Sequence, residues 1–281
     1  MIKNLFGIMQ GRLLPKYKGN YQAHPIGYWQ DEFKYASNLG FDCIEFILDY
    51  NLANSNPLMN DFGLEEISFL SQNNNVLVRS ICADYFMESP LFLDDLNQQK
   101  ENLKTLKNLI LNAYKLGVTD IVIPLVDNSS ILHNKVKFRR VIKFFNLFFQ
   151  ENNISEVNIC LETDLPPKQF LELVKEINRP QIKINYDTGN SASFGYNFYE
   201  EFEEYGHLVT NIHLKDRKLH GNSVELGLGD CNFKDIFIYL DNINYEGIFI
   251  LQAFRNDDGL TSLIPQHNYI KKYINKYFNK K

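Results

Sequence analysis

The chain has 281 residues with 29 Lys and Arg against 34 Asp and Glu, and its formal net charge of −5 excludes the broad basic footprint that gripping a nucleic-acid backbone requires. With 44% hydrophobic and 22% charged residues and no long apolar run, the composition is that of a soluble globular protein, which excludes extensive disorder and membrane spans. Four cysteines, Cys43, Cys82, Cys160 and Cys231, lie far apart with no CxxC pair and no charged-then-apolar leader before them, so reduced thiols and a cytoplasmic location are expected.

Short apolar, β-branched runs alternate with helix-length amphipathic stretches, the pattern of parallel βαβ units. Residues 5–9 read as the first strand, followed by a long loop and a helix over 29–39 that stops at Gly40. The second strand is 42–46, and a second long loop over 50–61 leads to a helix at 64–72 and a third strand at 76–82. Apolar residues at Leu103, Leu106, Leu109, Ile110, Ala113 and Leu116 give a helix over 96–116 that ends at Gly117, and 120–125 is the fourth strand. Helix and strand then repeat as 136–150 and 157–161, 167–177 and 182–186, 198–205 and 209–213, and 233–240 and 248–252, closed by a helix over 260–278.

Eight such units of about 35 residues each predict a (β/α)8 TIM barrel filling 1–281 as one domain. A doubly wound open sheet competes on length, but no Gly-rich dinucleotide fingerprint follows the first strand. In a barrel of this kind the reactive groups gather where the strands end. The last four strands end in Glu162 of NICLETD, Asp187 of INYDTGN, His213 of NIHLKDR and Gln252 of FILQAFR, at intervals of 25, 26 and 39. A polar group placed directly after four or five apolar residues is costly to bury unless it is paired or bound to metal. Two carboxylates, one imidazole and one amide oxygen suit a single divalent ion, Mn, Mg, Co or Zn. The competing reading is that each residue caps a neighbouring helix or pairs locally.

On Glu162, on Asp187 in DTGN, on His213 in HLKDR and on GIMQGRL from residue 7, the chain resembles the xylose-isomerase-like TIM barrels of the sugar phosphate isomerase/epimerase family. Members carry a Glu, an Asp, a His and a second Glu at the ends of strands five to eight as ligands for one divalent metal. The resemblance implies a metal-dependent isomerase or epimerase of a sugar, sugar phosphate or related polyol, working through an enediolate. Glu162, Asp187, His213 and Gln252 are then the metal ligands, Glu162 the base, and Arg217 a substrate-binding arginine. Two positions depart from the family pattern: Gln252 replaces the Glu that binds metal and moves the proton in the epimerases, and Asn190 stands where some of them place a substrate-binding His. An amide coordinates through its carbonyl oxygen but cannot act as a general base.

Further candidates for substrate contact are Gln10 and Arg12 after strand one, Glu45 at the end of strand two, Asp84 beyond strand three, and Lys215 and Asp216 beside Arg217. Glu45 and Asp84 are reserve groups for proton transfer, with a salt bridge or a loop cap as the competing reading. Gly227 and Gly229 in ELGLGD, together with Arg255, are candidate anion contacts, with an ordinary tight turn as the competing reading. The first long loop carries Tyr17, Tyr21, His24, Tyr28 and Trp29, which suit a sugar face and a subunit interface equally, so a homo-oligomer stays open. His133, His207, His220 and His267 are assigned to surface or supporting positions.

A small-molecule carbohydrate is the expected partner, with neither nucleic acid nor membrane. Two other functions stay open: a non-catalytic carbohydrate binder whose base is lost at Gln252, and a metal-dependent phosphoester hydrolase. The resemblance extends to abasic-DNA endonucleases of the second kind, whose three-zinc cluster needs more histidines than these strand ends supply.

Overall fold

The computed structural model describes residues 4–154 and 156–278. Strands Phe6–Met9, Cys43–Ile47, Leu77–Cys82, Asp120–Leu125, Asn158–Thr163, Ile182–Asp187, Val209–Leu214 and Ile248–Leu251 form a closed parallel barrel in sequential order, the first pairing with both the second and the eighth. This is the TIM barrel that the sequence predicts, and each expected strand and helix is present with ends shifted by no more than a few residues. The strands are covered on both faces, which is why they read as continuous apolar runs rather than as alternations.

Side-chain caps start several of the helices, and left-handed residues end several of them. Asp95 accepts from the Gln98 N–H at the head of Leu96–Leu116, and that helix stops at Gly117, whose φ of 72° turns the chain toward the fourth strand. Asn134 caps Lys135–Glu151 in the same way, accepting from Val136 and Lys137. Between strands and helices lies the main core, with Phe33, Phe46, Phe145, Phe148, Phe237 and Phe249 fully buried. Inside the barrel Met9, Cys43, Ile47, Cys82, Val122, Cys160, Ile248 and Ile250 form a second cluster. Above that plug the inward positions turn polar, and the site is built there.

Of the short elements that have no counterpart in the sequence reading, three bear on the site. Helices Tyr85–Glu88 and Thr188–Phe194 follow strands three and six, and a ribbon pairs Asp216–Arg217 with Ser223–Val224 after strand seven. All are too short for periodicity to reveal. They set Asp84, Asn190 and Arg217 at the mouth of the barrel.

Candidate metal and substrate site

Glu162 is the next-to-last residue of strand five, Asp187 the last of strand six and His213 the next-to-last of strand seven, while Gln252 directly follows strand eight. Three of the four are thus one residue away from a strand end. What the four share is an inward position in the pleat. Glu162, Asp187 and His213 are all buried, and one ligand atom from each lies within 4.8 Å of the others.

The imidazole is oriented from below. His213 Nε2 stands 2.7 Å from Glu45 Oε1, and the other oxygen of Glu45 accepts from Asn211 Nδ2 at 2.8 Å and from the Ser80 hydroxyl. That leaves Nδ1 facing the cluster, 3.3 Å from Glu162 Oε2 and without a hydrogen bond. Burial alone lowers the pKa of this ring, but Glu45 and Glu162 outweigh it and hold it up to about 10. An imidazolium here would offset only one of the two carboxylate charges, and a cation at Nδ1 would take the place of its proton.

Glu162 is held from strand six and its loop. Asn185 Nδ2 donates to one carboxylate oxygen at 2.7 Å and Asn190 Nδ2 to the other at 2.8 Å. Asn190 is fixed in turn because its Oδ1 accepts from Arg217 Nη1 at 2.8 Å. Asp187 has a double role: its Oδ1 caps Thr188–Phe194 by accepting from the Asn190 N–H at 2.8 Å, while Oδ2 lies 3.5 Å from Lys215 Nζ. Helix capping and an available ligand oxygen therefore coexist on one carboxylate.

The fourth position has a defined amide orientation. Gln252 Nε2 donates to Gln22 Oε1 at 3.0 Å, and the same oxygen accepts from Arg12 Nη2 at 2.9 Å, so it has to face two donors. Gln252 Oε1 is left buried without a partner. An unpartnered carbonyl oxygen and an unpartnered imidazole nitrogen in one polar pit fit the donor set of a divalent cation. On the far side of Gln22, its Nε2 donates to Asp84 Oδ2 at 2.8 Å.

A cavity of about 880 Å3 opens above these groups. Of the expected residues, Arg12, Asp84, Glu162, Asn190, Lys215, Arg217 and Gln252 line it, with Tyr17 and Tyr21 from the first loop. Six others do not. Gln10 spends its carbonyl on the Ile47 N–H and the His24 ring, both at 3.0 Å. Glu45 is fully buried beneath His213 rather than poised over substrate. Asp216 collects the N–H groups of Gly227, Gly229 and Cys231 at 2.8, 2.9 and 3.1 Å, so those glycines have no donors left for an anion. Arg255 is 3% exposed and donates to the Gly11 and Leu14 carbonyls at 2.7 and 2.6 Å, strapping the loop after strand one. Trp29 and His24 join the core against Phe46, and His267 is also interior, 4.9 Å from the Phe41 ring centroid.

Several contributors went unrecognised in the sequence. Asn185 and Asn211 lie two residues before Asp187 and His213 on the same strands, a period-two signal that could have found them. Gln22 sits in an irregular loop and gives no such signal. Glu32 accepts from the Gly11 and Leu13 N–H groups at 2.6 and 3.1 Å, holding the loop that carries Arg12.

A family model described as xylose isomerase-like TIM barrel matches residues 33–274. The L-ribulose-5-phosphate 3-epimerase UlaE of Shigella flexneri serotype 5b is 22% identical over 270 residues, 91% of this chain and 93% of that protein. The structure of D-psicose 3-epimerase with D-tagatose from Clostridium cellulolyticum H10 superposes with a TM-score of 0.76 at 16% identity, covering 98% of this chain and 99% of that one. The structure of the IolI protein with a zinc atom gives a TM-score of 0.75 at 15% identity, covering 98% and 100%.

Proposed function

The chain belongs to the xylose isomerase-like TIM barrel family, and from that premise we propose that it is a metal-dependent epimerase or isomerase of a sugar or sugar phosphate acting through an enediolate. The observation that carries this is the meeting of Glu162, Asp187 and His213 within 4.8 Å, beside the unpartnered Nδ1 of His213 and Oε1 of Gln252. Those four residues would hold the ion. A divalent metal there, Mn, Mg, Co or Zn, supplies Lewis acidity toward a carbonyl and an adjacent hydroxyl oxygen.

Glu162 takes the proton from the carbon beside the substrate carbonyl, its carboxylate aimed by Asn185 and Asn190. Arg217, held through Asn190 and the Gly221 carbonyl, faces substrate oxygens, and Arg12 and Lys215 line the same cavity. Tyr17 and Tyr21 line the cavity with aromatic rings, which suit the C–H surface of a sugar. The phosphoester-hydrolase reading loses support, because only one metal-competent group of side chains occurs among the described residues. No helix among them is long and apolar enough to cross a membrane, and the free thiols fit the cytoplasmic setting read from the sequence.

The test is incubation of metal-loaded protein with a panel of ketoses, aldoses and their phosphates in D2O. Deuterium is expected at a carbon next to a carbonyl, abolished by His213→Ala. A protein that binds a sugar of the panel but exchanges none is the non-catalytic binder instead.

A further inference from the structure

We propose that Asp84 is a catalytic residue, the carboxyl group that exchanges a proton with the substrate carbon on the face turned away from Glu162. The inference rests on the proposed function and adds to it the second proton-transfer group that Gln252 cannot be. Inversion at a carbon beside a carbonyl needs a group on each face: one removes the proton and the other returns one. With an amide at the end of strand eight, one of those groups has to come from elsewhere.

Hydrogen bonds sort the polar groups at the mouth into two sets. Glu162, Asn185, Asp187 and Asn190, from strands five and six and the loop after them, form one, and Gln252, Gln22 and Asp84, from strand eight and the loops after strands one and three, form the other. Glu162 is tied to the first group by Asn185 and Asn190. Asp84 is tied to the second through one bridging amide: Gln252 Nε2 to Gln22 Oε1 at 3.0 Å, then Gln22 Nε2 to Asp84 Oδ2 at 2.8 Å. A carboxyl group is therefore joined, through one glutamine side chain, to the position from which the family's second glutamate is missing.

Asp84 faces the cavity, as Glu162 does, and the other reserve acid does not, since Glu45 is spent on His213, Asn211 and Ser80. Burial raises the pKa of Asp84, against the pull of hydrogen bonds from Gln22 and Cys82 and with a further push from Glu162. Burial and the nearby Glu162 both act toward the acid form of Asp84.

The step balances as a two-base transfer. The C–H bond breaks toward a Glu162 oxygen, and its electron pair moves into the carbonyl to give an enediolate. A new C–H bond then forms at the same carbon with the Asp84 proton, and the carbonyl is restored. Glu162 ends protonated and Asp84 ionised, and exchange with water resets both.

The test compares metal-loaded full-length wild type, Asp84→Asn and the double variant Asp84→Asn with Gln252→Glu on the ketose and ketose phosphate panel in D2O. Wild type inverts a substrate and places deuterium at the inverted carbon. Asp84→Asn loses inversion by roughly a hundredfold or more yet still exchanges deuterium into the starting sugar, because Glu162 alone enolises and returns a proton from its own face. The double variant, with a carboxyl group restored on strand eight, regains inversion by about tenfold or more over Asp84→Asn, which also shows that Asp84→Asn folds.

A Mn2+ titration by calorimetry leaves Asp84→Asn within about threefold of wild-type affinity, as expected of a group that moves a proton and holds no ion. Inversion by Asp84→Asn within about threefold of wild type overturns the proposal. Exchange without inversion by wild type, loss of exchange together with inversion in Asp84→Asn, or a large loss of its Mn2+ affinity overturns it as well. Each of these leaves the proposed function standing. A wild type that neither exchanges nor inverts any sugar removes that function, and this proposal with it.

Discussion

His213 and Glu45 meet at 2.7 Å, with neither side chain exposed to solvent. The contact determines which imidazole nitrogen faces the Glu162–Asp187 cluster, and it does so from a residue 168 positions away in the chain. Glu45→Gln keeps the shape but removes the charge, and its amide sets a nitrogen against either the His213 ring or Asn211 Nδ2. Mn2+ affinity is expected to fall by about 10- to 100-fold, measured by calorimetry. An affinity matching wild type would mean that the ring is oriented without Glu45.

Arg217, Asn190 and Glu162 form a chain of two hydrogen bonds, each 2.8 Å long. If Arg217 acts partly by holding the Asn190 amide toward Glu162, then Asn190→Ala and Arg217→Ala are not independent. A double-mutant cycle on turnover of whichever sugar exchanges deuterium is expected to give a coupling of about 0.5–3 kcal/mol. Strict additivity would confine Arg217 to direct substrate contact.

The loop after strand seven is built around Asp216 rather than around an anion. A Cβ on Gly229 would lie 1.9 Å from Asp216 Oδ1 and 2.7 Å from the Arg217 carbonyl oxygen. Gly229→Ala is expected to cost about 1–3 kcal/mol in denaturant-unfolding stability while leaving Mn2+ affinity unchanged. If inorganic phosphate stabilised the wild type and not this variant, the glycine turn would be an anion site after all.

Glu32 contributes a pH dependence of known sign. Burial raises its pKa from 4.5 to about 7, against the pull of the Gly11 and Leu13 N–H groups. Between those two values the folded protein holds more protons than the unfolded chain, so stability falls as pH rises from about 4.5 to 7 and levels off above. The contribution is on the order of 3 kcal/mol at full ionisation. Unfolding stability of Glu32→Gln relative to wild type is expected to improve across that window, and a difference that does not vary with pH would refute the assignment.

The proposed ligand set could be read from the sequence because its members share a periodic context. Each follows an apolar run at the end of a strand, and a parallel barrel converts that repetition into convergence at one point. The helpers Asn185 and Asn211 obey the same alternation and were equally available to reading. Asp84 was visible as a candidate but not separable from Glu45, because both are acids near strand ends and only the fold shows that Glu45 lies under a histidine while Asp84 faces the cavity. Gln22 was invisible, since its role depends on three partners at positions 12, 84 and 252 and on no local pattern.

Sequence alone determined the βα alternation, the barrel and the four inward residues at strands five to eight, because hydrophobic periodicity and strand order are local properties that closure of the sheet turns into one mouth. It also determined that position 252 carries no general base, which is a matter of side-chain chemistry. Tertiary structure decided how the hydrogen-bond donors are spent. Only when Asp216 is seen gathering the N–H groups of Gly227, Gly229 and Cys231, and Arg255 the carbonyls of Gly11 and Leu14, do they leave the list of substrate contacts. A hydrogen bond needs two groups within about 3 Å, and sequence spacing does not set that distance between residues brought together from separate loops.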